Sequence, residues 1–218
     1  MPLFVVRVWL PDRPGALGAV ASRIGAVRAD VVGIDILERG AGRAVDELTI
    51  EIADPRHVDL LVEEIGQVDG VDVEHVRPVT RVGSDRAIES IAVARTISSE
   101  TGREAILHGL VVGLRDLFDA DWVAVVDPSE GRAVSVASGI EMPSVEWLAA
   151  FVIGSAAGDG SFAAVDELAR VGLRYQGLEL VLSREHLPLR ESERSILTAL
   201  ADMADDRIAA VETLRSST

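Results

Sequence analysis

Apolar and polar residues alternate along the first 80 positions with two different periods. Residues 17–27 and 58–68 repeat apolar side chains every three or four positions, as an amphipathic helix does. Gly40-Ala41-Gly42 predicts a tight turn. The remaining apolar stretches alternate every second residue, which is the period of a β-strand, at 3–9, 32–36, 48–52 and 71–76. This order predicts a βαββαβ unit with two helices on one face of a four-stranded antiparallel sheet.

The two faces of the predicted sheet differ in polarity. On the first strand, Val5 and Trp9 point away from the face that the helices cover. An apolar surface of this kind marks a contact, so we expect another domain or a second subunit to cover it. On the third strand, Glu47, Thr49 and Glu51 alternate with apolar residues, which predicts one solvated face.

The pattern over residues 85–218 predicts a second α+β unit with longer helices. A helix is expected over 85–97, and Thr101 followed by Glu104 is the pattern of a capping box at the start of the next helix. A short helix is expected after Ser144, which can cap it. Strands are predicted at 122–126, 133–138, 167–174 and 178–184. A long helix at 191–214 has an apolar stripe of Leu197, Leu200, Ala204, Ile208 and Val211.

We therefore divide the 218 residues into a first domain at 1–78, a linker at 79–84 and a second domain at 85–218. The sequence is 48% hydrophobic but has no apolar run of 18 residues, so no membrane span or membrane partner is expected. The N-terminal residues lack the pattern of a secretory signal, and we expect a cytoplasmic protein. The net charge of −15 disfavours nucleic acid as a partner.

Missing residue types exclude several kinds of chemistry. The sequence contains no Cys and no Lys, which removes thiol catalysis, thiolate metal sites, Schiff bases and the phosphate-loop lysine. The four histidines are far apart and have no metal-ligand spacing, so no metal site is expected. No other motif in the sequence indicates a cofactor, and we predict none.

The segment Asp12-Arg13-Pro14-Gly15-Ala16-Leu17 lies between the first strand and the first helix. Pro14 suits the start of a helix, and Gly15 lets another group approach the backbone because it has no Cβ. The first amides of the helix lack intrahelical partners and lie at the positive end of its dipole. This arrangement favours a bound carboxylate, although a turn that binds nothing would have the same residues.

This turn and the order of elements around it resemble an ACT domain. The resemblance implies a ferredoxin-like βαββαβ fold that binds amino acids where two copies meet. The carboxylate would then lie on the amides of Gly15, Ala16 and Leu17. Asp35, on the second strand, is a candidate partner for the ligand's ammonium group, and the alternative is a solvent-facing strand position. The predicted ligand-binding residues are Asp12, Arg13, Pro14, Gly15, Ala16, Leu17 and Asp35.

The second domain resembles a GAF-type domain. The resemblance rests on residues 178–200, where a strand ending at Ser183-Arg184 leads through Pro188 into the long helix. It implies an antiparallel sheet with long helices that either binds a small molecule or dimerises as a sensor. Which of the two applies stays open.

Three functions are compatible with the sequence. The first is a non-enzymatic regulatory protein that senses an amino acid or similar small carboxylate, as a homodimer signalling to a partner enzyme or regulator. The second is a dimeric scaffold that docks onto a partner enzyme without a small ligand. The third is an enzyme in the second domain, which requires a deep pocket where His108 or His186 meets a carboxylate.

Overall fold

The computed structural model describes residues 1–79, 86–140, 142–156, 168–185 and 187–216. The chain consists of two compact units. The first contains Met1–Arg86 and Arg190–Ser192, and the second contains Ala87–Leu189 and Glu193–Thr218. Most of the predicted linker at 79–84 lies outside the described residues, as does His186.

The first unit has the predicted βαββαβ order. Its four strands form one antiparallel sheet, in the spatial order β2-β3-β1-β4. A 3-10 turn at Pro55–His57 precedes the second helix. The elements are β1 Leu3–Pro11, α1 Ala16–Ala26, β2 Ala29–Gly40, β3 Arg43–Ile52, α2 Val58–Gly66 and β4 Asp72–Val79. This is the ferredoxin-like arrangement expected from the sequence.

The core of the first unit lies between the two helices and one face of the sheet. Apolar side chains of α1 and α2, among them Ile24 and Ile65, are fully buried against Val6 and Leu48. Burial of an aliphatic side chain of this size contributes about 1.5–3 kcal/mol. The spacing of the apolar residues therefore correctly predicted both helices and the sheet face that they cover.

The edge strand β2 departs from simple alternation. Ile34 and Ile36 were predicted on its apolar face, yet they are 48% and 47% exposed. The pairing with β3 is irregular between Val31 and Gly33 and again between Ile36 and Glu38. Ile34 still lies opposite the core residue Leu48, so its exposure follows from the position of β2 at the edge of the sheet, and Leu37 at the second bulge is the buried residue of this segment.

The face of β3 that was predicted to be solvated is largely buried. Glu47 and Thr49 are both buried, and only Glu51 is partly exposed. The reason is a cross-strand pair, because Glu47 lies directly opposite the fully buried Arg7 of β1. On the same face, Trp9 is partly buried and its Nε1 donates to Oε1 of Glu74 at 3.0 Å. Cover of this face by another domain or subunit stays a prediction.

The second unit is also α+β, with a four-stranded antiparallel sheet. Its strands lie in the spatial order β6-β5-β8-β7. The elements are α3 Arg86–Ser99, α4 Arg103–Phe118, β5 Trp122–Asp127, β6 Arg132–Ser138, α5 Val145–Ala156, β7 Leu168–Leu173, β8 Leu178–Ser183 and α6 Glu191–Ser216. The predicted element types are confirmed, whereas the GAF-type identity remains a resemblance.

Two helix predictions in the second unit had different outcomes. The capping box was wrong, because the N-cap of α4 is Gly102 and no side chain caps this helix. The apolar stripe of α6 was correct, since all five of its predicted residues are buried. Helix α3 approaches α4 closely, because a Cβ built at Gly113 would lie 2.7 Å from Cγ1 of Val93.

A buried ion pair joins the end of β8 to α6. The guanidinium of Arg184 donates to both carboxylate oxygens of Glu193, each at 2.9 Å. Arg184 also donates to the carbonyl oxygens of Phe118 and Leu187. The segment Ser183-Arg184, on which the GAF-type resemblance rests, therefore has a structural role.

Candidate ligand site at the first turn

The turn between β1 and α1 is held by backbone hydrogen bonds. The amide of Asp12 donates to the carbonyl of Gly42 at 2.9 Å, which ties the turn to the hairpin between β2 and β3. The amide of Arg13 donates to the carbonyl of Pro11 at 2.8 Å. Gly15 has a φ of +88°, in the left-handed region that glycine adopts most easily. The predicted glycine is therefore required by the conformation through which the chain enters α1.

The amides at the start of α1 are partly available. The Ala16 amide, predicted to receive a carboxylate, instead donates to the carbonyl of Arg13 over a long 3.3 Å. No side chain caps the helix. Within the described part of the chain, the amides of Gly15, Leu17 and Gly18 make no hydrogen bond. The helix thus presents three unpartnered donors at the positive end of its dipole.

A cleft of about 490 Å³ lies beside this helix start. It is lined by Arg13, Pro14, Gly15, Ala16, Ala19, Arg23, Gln67, Val68 and Asp69. Four of the seven predicted residues are therefore brought together in one cleft. Leu17 lies outside the lining and packs its side chain against the core, and Asp12 contributes to the turn through its backbone.

Asp35 does not join the other predicted residues within one protomer. Its register partner is Glu47, which in turn pairs with Arg7. Directly opposed residues share a sheet face, and this face is the one turned away from α1 and α2. The alternation of β2 therefore places Asp35 on the opposite side of the sheet from the amides of α1.

Some of the charged and polar residues that line the cleft were not predicted from the sequence. Arg23 lies two turns after Ala16, and its Nη1 donates to Oε2 of Glu64 and to Oε1 of Gln67, each at 3.1 Å. The sequence could have predicted Arg23 in the cleft, because the spacing of Ala16, Ala19 and Arg23 places them on one side of α1. Gln67 and Asp69 follow α2 and are brought here only by the packing of α1 against α2.

The electrostatics of the cleft combine both signs of charge. The exposed guanidinium of Arg13 makes no hydrogen bond or ion pair among the described residues. The carboxylate of Asp69, which also lines the cleft, is exposed. Free amides and a guanidinium suit a carboxylate, and a nearby carboxylate suits an ammonium group. The cleft can therefore hold a small zwitterion or a small acid.

The second unit has a groove of its own, between α3 and α4. It measures about 430 Å³ and includes His108, Glu89 and Asp116 in a mainly apolar lining. His108 is exposed and forms no hydrogen bond or ion pair within the described ranges. The groove thus contains the residue types that the enzyme hypothesis requires, without a contact that would link the imidazole to a carboxylate.

The described residues contain no group of three or more His, Cys, Asp or Glu side chains that could hold a metal ion. None of their helices combines the length and the apolar character needed to cross a membrane.

The turn and the residues that line its cleft lie within a stretch of the chain that matches a known domain family. Residues 4–70 match the family model of the ACT domain. This range contains the predicted turn and most of the first sheet. A search of curated proteins finds no match to the chain.

Proposed function

We propose that the ACT domain at residues 4–70 binds an amino acid or a similar small carboxylate, and that the chain is a non-enzymatic regulatory protein. The observation that carries this proposal is the set of unpartnered amides at Gly15, Leu17 and Gly18. They lie at the start of a helix whose neighbouring guanidinium, on Arg13, has no partner among the described residues. ACT domains commonly bind small amino-acid ligands, which supports the same ligand class.

The expected affinity follows from the strength of such contacts. A hydrogen bond to a charged group contributes about 1.5–3 kcal/mol, and a helix N-terminus adds about 0.3–1 kcal/mol for an anion. Two or three of these contacts contribute about 3–9 kcal/mol in all, and association costs at least about 4 kcal/mol, so we expect a weak ligand with a dissociation constant no tighter than roughly tens of micromolar. This range suits a sensor of a metabolite that is abundant in the cell.

We include in the proposal a homodimer in which the ligand binds near the contact between two copies. The support is the edge strand β2, which pairs with β3 and leaves Ile34 and Ile36 half exposed. A ligand that binds the dimer better than the monomer tightens the dimer by mass action. The second domain would respond to this change and pass it to a partner enzyme or regulator. A cytoplasmic location belongs to the same proposal.

The test is calorimetric titration of the full chain with the common amino acids at millimolar concentration. The Ala19→Glu variant places a negative charge in the cleft and is expected to weaken binding at least tenfold. Ala21→Glu is the matched control, because Ala21 is equally exposed on α1 but does not line the cleft. Wild-type affinity is expected for this control.

Two results would contradict the proposal. One is the absence of heat and of a melting shift with every amino acid tested. The other is an equal effect of the two glutamate variants, which would move the ligand away from this cleft.

The alternative function is a dimeric scaffold that docks onto a partner enzyme without a small ligand. The observation that favours it is the half-exposed pair Ile34 and Ile36 on the edge strand. Sedimentation of wild type and the Ile34→Glu variant tests it. A ligand-independent dimer that this variant dissociates, in a protein that binds no amino acid, would favour the scaffold over the sensor.

A further inference from the structure

The indole ring of Trp9 on β1 is in contact with two guanidinium groups. Cζ of Arg43 lies 5.3 Å from the ring centroid, and Cζ of Arg190 lies 4.7 Å from it. Both distances are within the reach of about 6 Å that a cation–π interaction requires. Nε1 of Trp9 donates to Oε1 of Glu74 at 3.0 Å, and the same oxygen accepts a hydrogen bond from Nη2 of Arg190. Trp9, Arg43, Glu74 and Arg190 therefore form one connected group, the Trp9 cluster.

Arg190 comes from a part of the chain that is far from the others in sequence. It lies 116 positions from Glu74, yet the segment Arg190–Ser192 belongs to the first unit. Its side chain is 12% exposed, and its Nη1 also lies 4.0 Å from Oε2 of Glu38. Immediately after Arg190 the chain enters α6, most of which belongs to the second unit. The start of α6 is thus attached to the sheet of the ACT domain by one largely buried cation.

Arg43 connects the Trp9 cluster to the ligand cleft by two routes. It directly follows Gly42, whose carbonyl accepts the amide of Asp12 in the ligand-binding turn. Its Nη2 donates to the carbonyl oxygen of Gly70 at 3.3 Å, and Gly70 directly follows Asp69, which lines the cleft. The turn and one cleft residue are therefore tied to the hairpin residue that contacts the indole ring.

We propose that the Trp9 cluster couples the ligand cleft to the start of α6, so that a bound ligand strengthens the attachment of Arg190. The inference rests on the proposed function and specifies how the second domain would respond to the ligand. A ligand that orders the turn also orders the hairpin through the bond between Asp12 and Gly42. An ordered hairpin lowers the entropic cost of keeping Trp9 and Arg190 in contact. Because such coupling is reciprocal, loss of the Arg190 contact must weaken ligand binding.

The first experiment measures ligand affinity in the full chain by calorimetry. The common amino acids are titrated into wild type, and the one that binds most tightly is then titrated into Arg190→Ala. This variant removes the stacked cation and the donor to Glu74, and it is expected to weaken binding at least about fivefold. Arg174→Ala is the matched control, because Arg174 is exposed in the second unit and makes no hydrogen bond or ion pair among the described residues. The control is expected to keep the affinity of wild type.

The second experiment follows amide hydrogen exchange with and without the same amino acid. The amides of residues 195–198 donate to the first turn of α6, so their exchange reports on the start of this helix. In wild type their exchange is expected to slow several-fold when the ligand is bound. No such slowing is expected in Arg190→Ala. A purely structural role of Arg190 would not make exchange in α6 depend on the ligand.

The outcomes separate this inference from the proposed function. If no amino acid binds wild type, the proposed function fails and the inference fails with it. If wild type binds an amino acid and a folded Arg190→Ala protein binds it equally tightly, the inference fails and the ligand site survives. Exchange at residues 195–198 that the ligand does not change in wild type has the same meaning. This last comparison needs no variant, so poor folding of Arg190→Ala does not prevent a decision.

Discussion

Arg7 and Glu47 lie opposite each other on neighbouring strands, and Nη2 of Arg7 is 2.6 Å from Oε1 of Glu47. Both side chains are buried, and Oε2 of Glu47 accepts a second hydrogen bond from Arg86 at 2.7 Å. Glu47 therefore bridges two guanidinium groups in a region with little access to water. This relationship explains why a strand face with an alternating polar pattern is not solvated.

The first prediction concerns this ion pair. Glu47→Ala leaves the buried Arg7 without its main counter-charge, and removal of one partner of a buried pair costs about 3–5 kcal/mol. Glu51→Ala on the same strand is the control, because Glu51 is partly exposed and its contact with the N-terminal amine is 3.6 Å long. The Glu51→Ala variant is expected to lose less than about 1 kcal/mol of its free energy of unfolding. Urea denaturation measures both, and similar losses in the two variants would contradict the buried role of Glu47.

The second prediction separates two glycines of the ligand-binding turn. Gly15→Ala forces a side chain into the left-handed region, which costs about 1–2 kcal/mol, although no atom lies within 4 Å of the added Cβ. Gly18→Ala lies inside α1, also in open space, and is expected to stabilise by about 0.5–1 kcal/mol. Opposite shifts in the urea midpoint are expected. Shifts of the same sign would contradict the conformation of this turn.

The third prediction concerns the close approach of α3 to α4. Gly113→Ala places a methyl group 2.7 Å from Cγ1 of Val93, and overpacking of this kind costs about 1–3 kcal/mol. Gly154→Ala in α5 meets no atom within 4 Å and serves as the control, with an expected gain of up to about 1 kcal/mol. Thermal denaturation of both variants measures the contrast. A stabilised Gly113→Ala protein would show that the helices can separate without cost.

The fourth prediction is a pH dependence due to Asp46. Burial, with Asp12, raises the pKa of Asp46 in the folded protein above the value of about 3.9 in an unfolded chain, and Arg39 opposes this shift. The folded state therefore binds the proton more tightly. As the pH rises from the unfolded pKa through the folded pKa, Asp46 lowers the free energy of unfolding.

The Asp46→Asn variant isolates this effect because asparagine does not ionise. The free energy of unfolding of the variant, minus that of wild type, is expected to increase from pH 3 to pH 7. Urea denaturation at several pH values measures this difference, and Asp30→Asn, at an exposed position of β2, is expected to show no such trend. A difference that does not change with pH would contradict a raised pKa.

Local patterns were sufficient for the elements of the first unit and for its turn. Alternation and helical spacing predicted the order of strands and helices, because a sheet face or a helix stripe must be buried wherever it packs. The residues Arg13 to Ala16 were found because a proline, a glycine and a following helix are contiguous in sequence. The hairpin at Gly40-Ala41-Gly42 was predicted for the same reason.

Contacts between residues far apart in the sequence could not be predicted from these local patterns. Glu47 has the pattern of a solvated residue but is buried, where it pairs with Arg7 across the sheet and with Arg86. The capping box at Thr101 failed because the helix begins after Gly102 without a side-chain cap. Gln67 and Asp69 reach the cleft only through the packing of one helix on another.

The sequence by itself determined the two kinds of periodicity, the class of fold and the turn that presents free amides. Only the tertiary structure decided which acidic strand residue lies on the sheet face that α1 covers. Asp35 and Asp46 are both acidic strand residues, and one lies on each side of the sheet. The physical reason is that pairing register, rather than composition, sets the face of a strand residue, and register depends on partners far away in the chain.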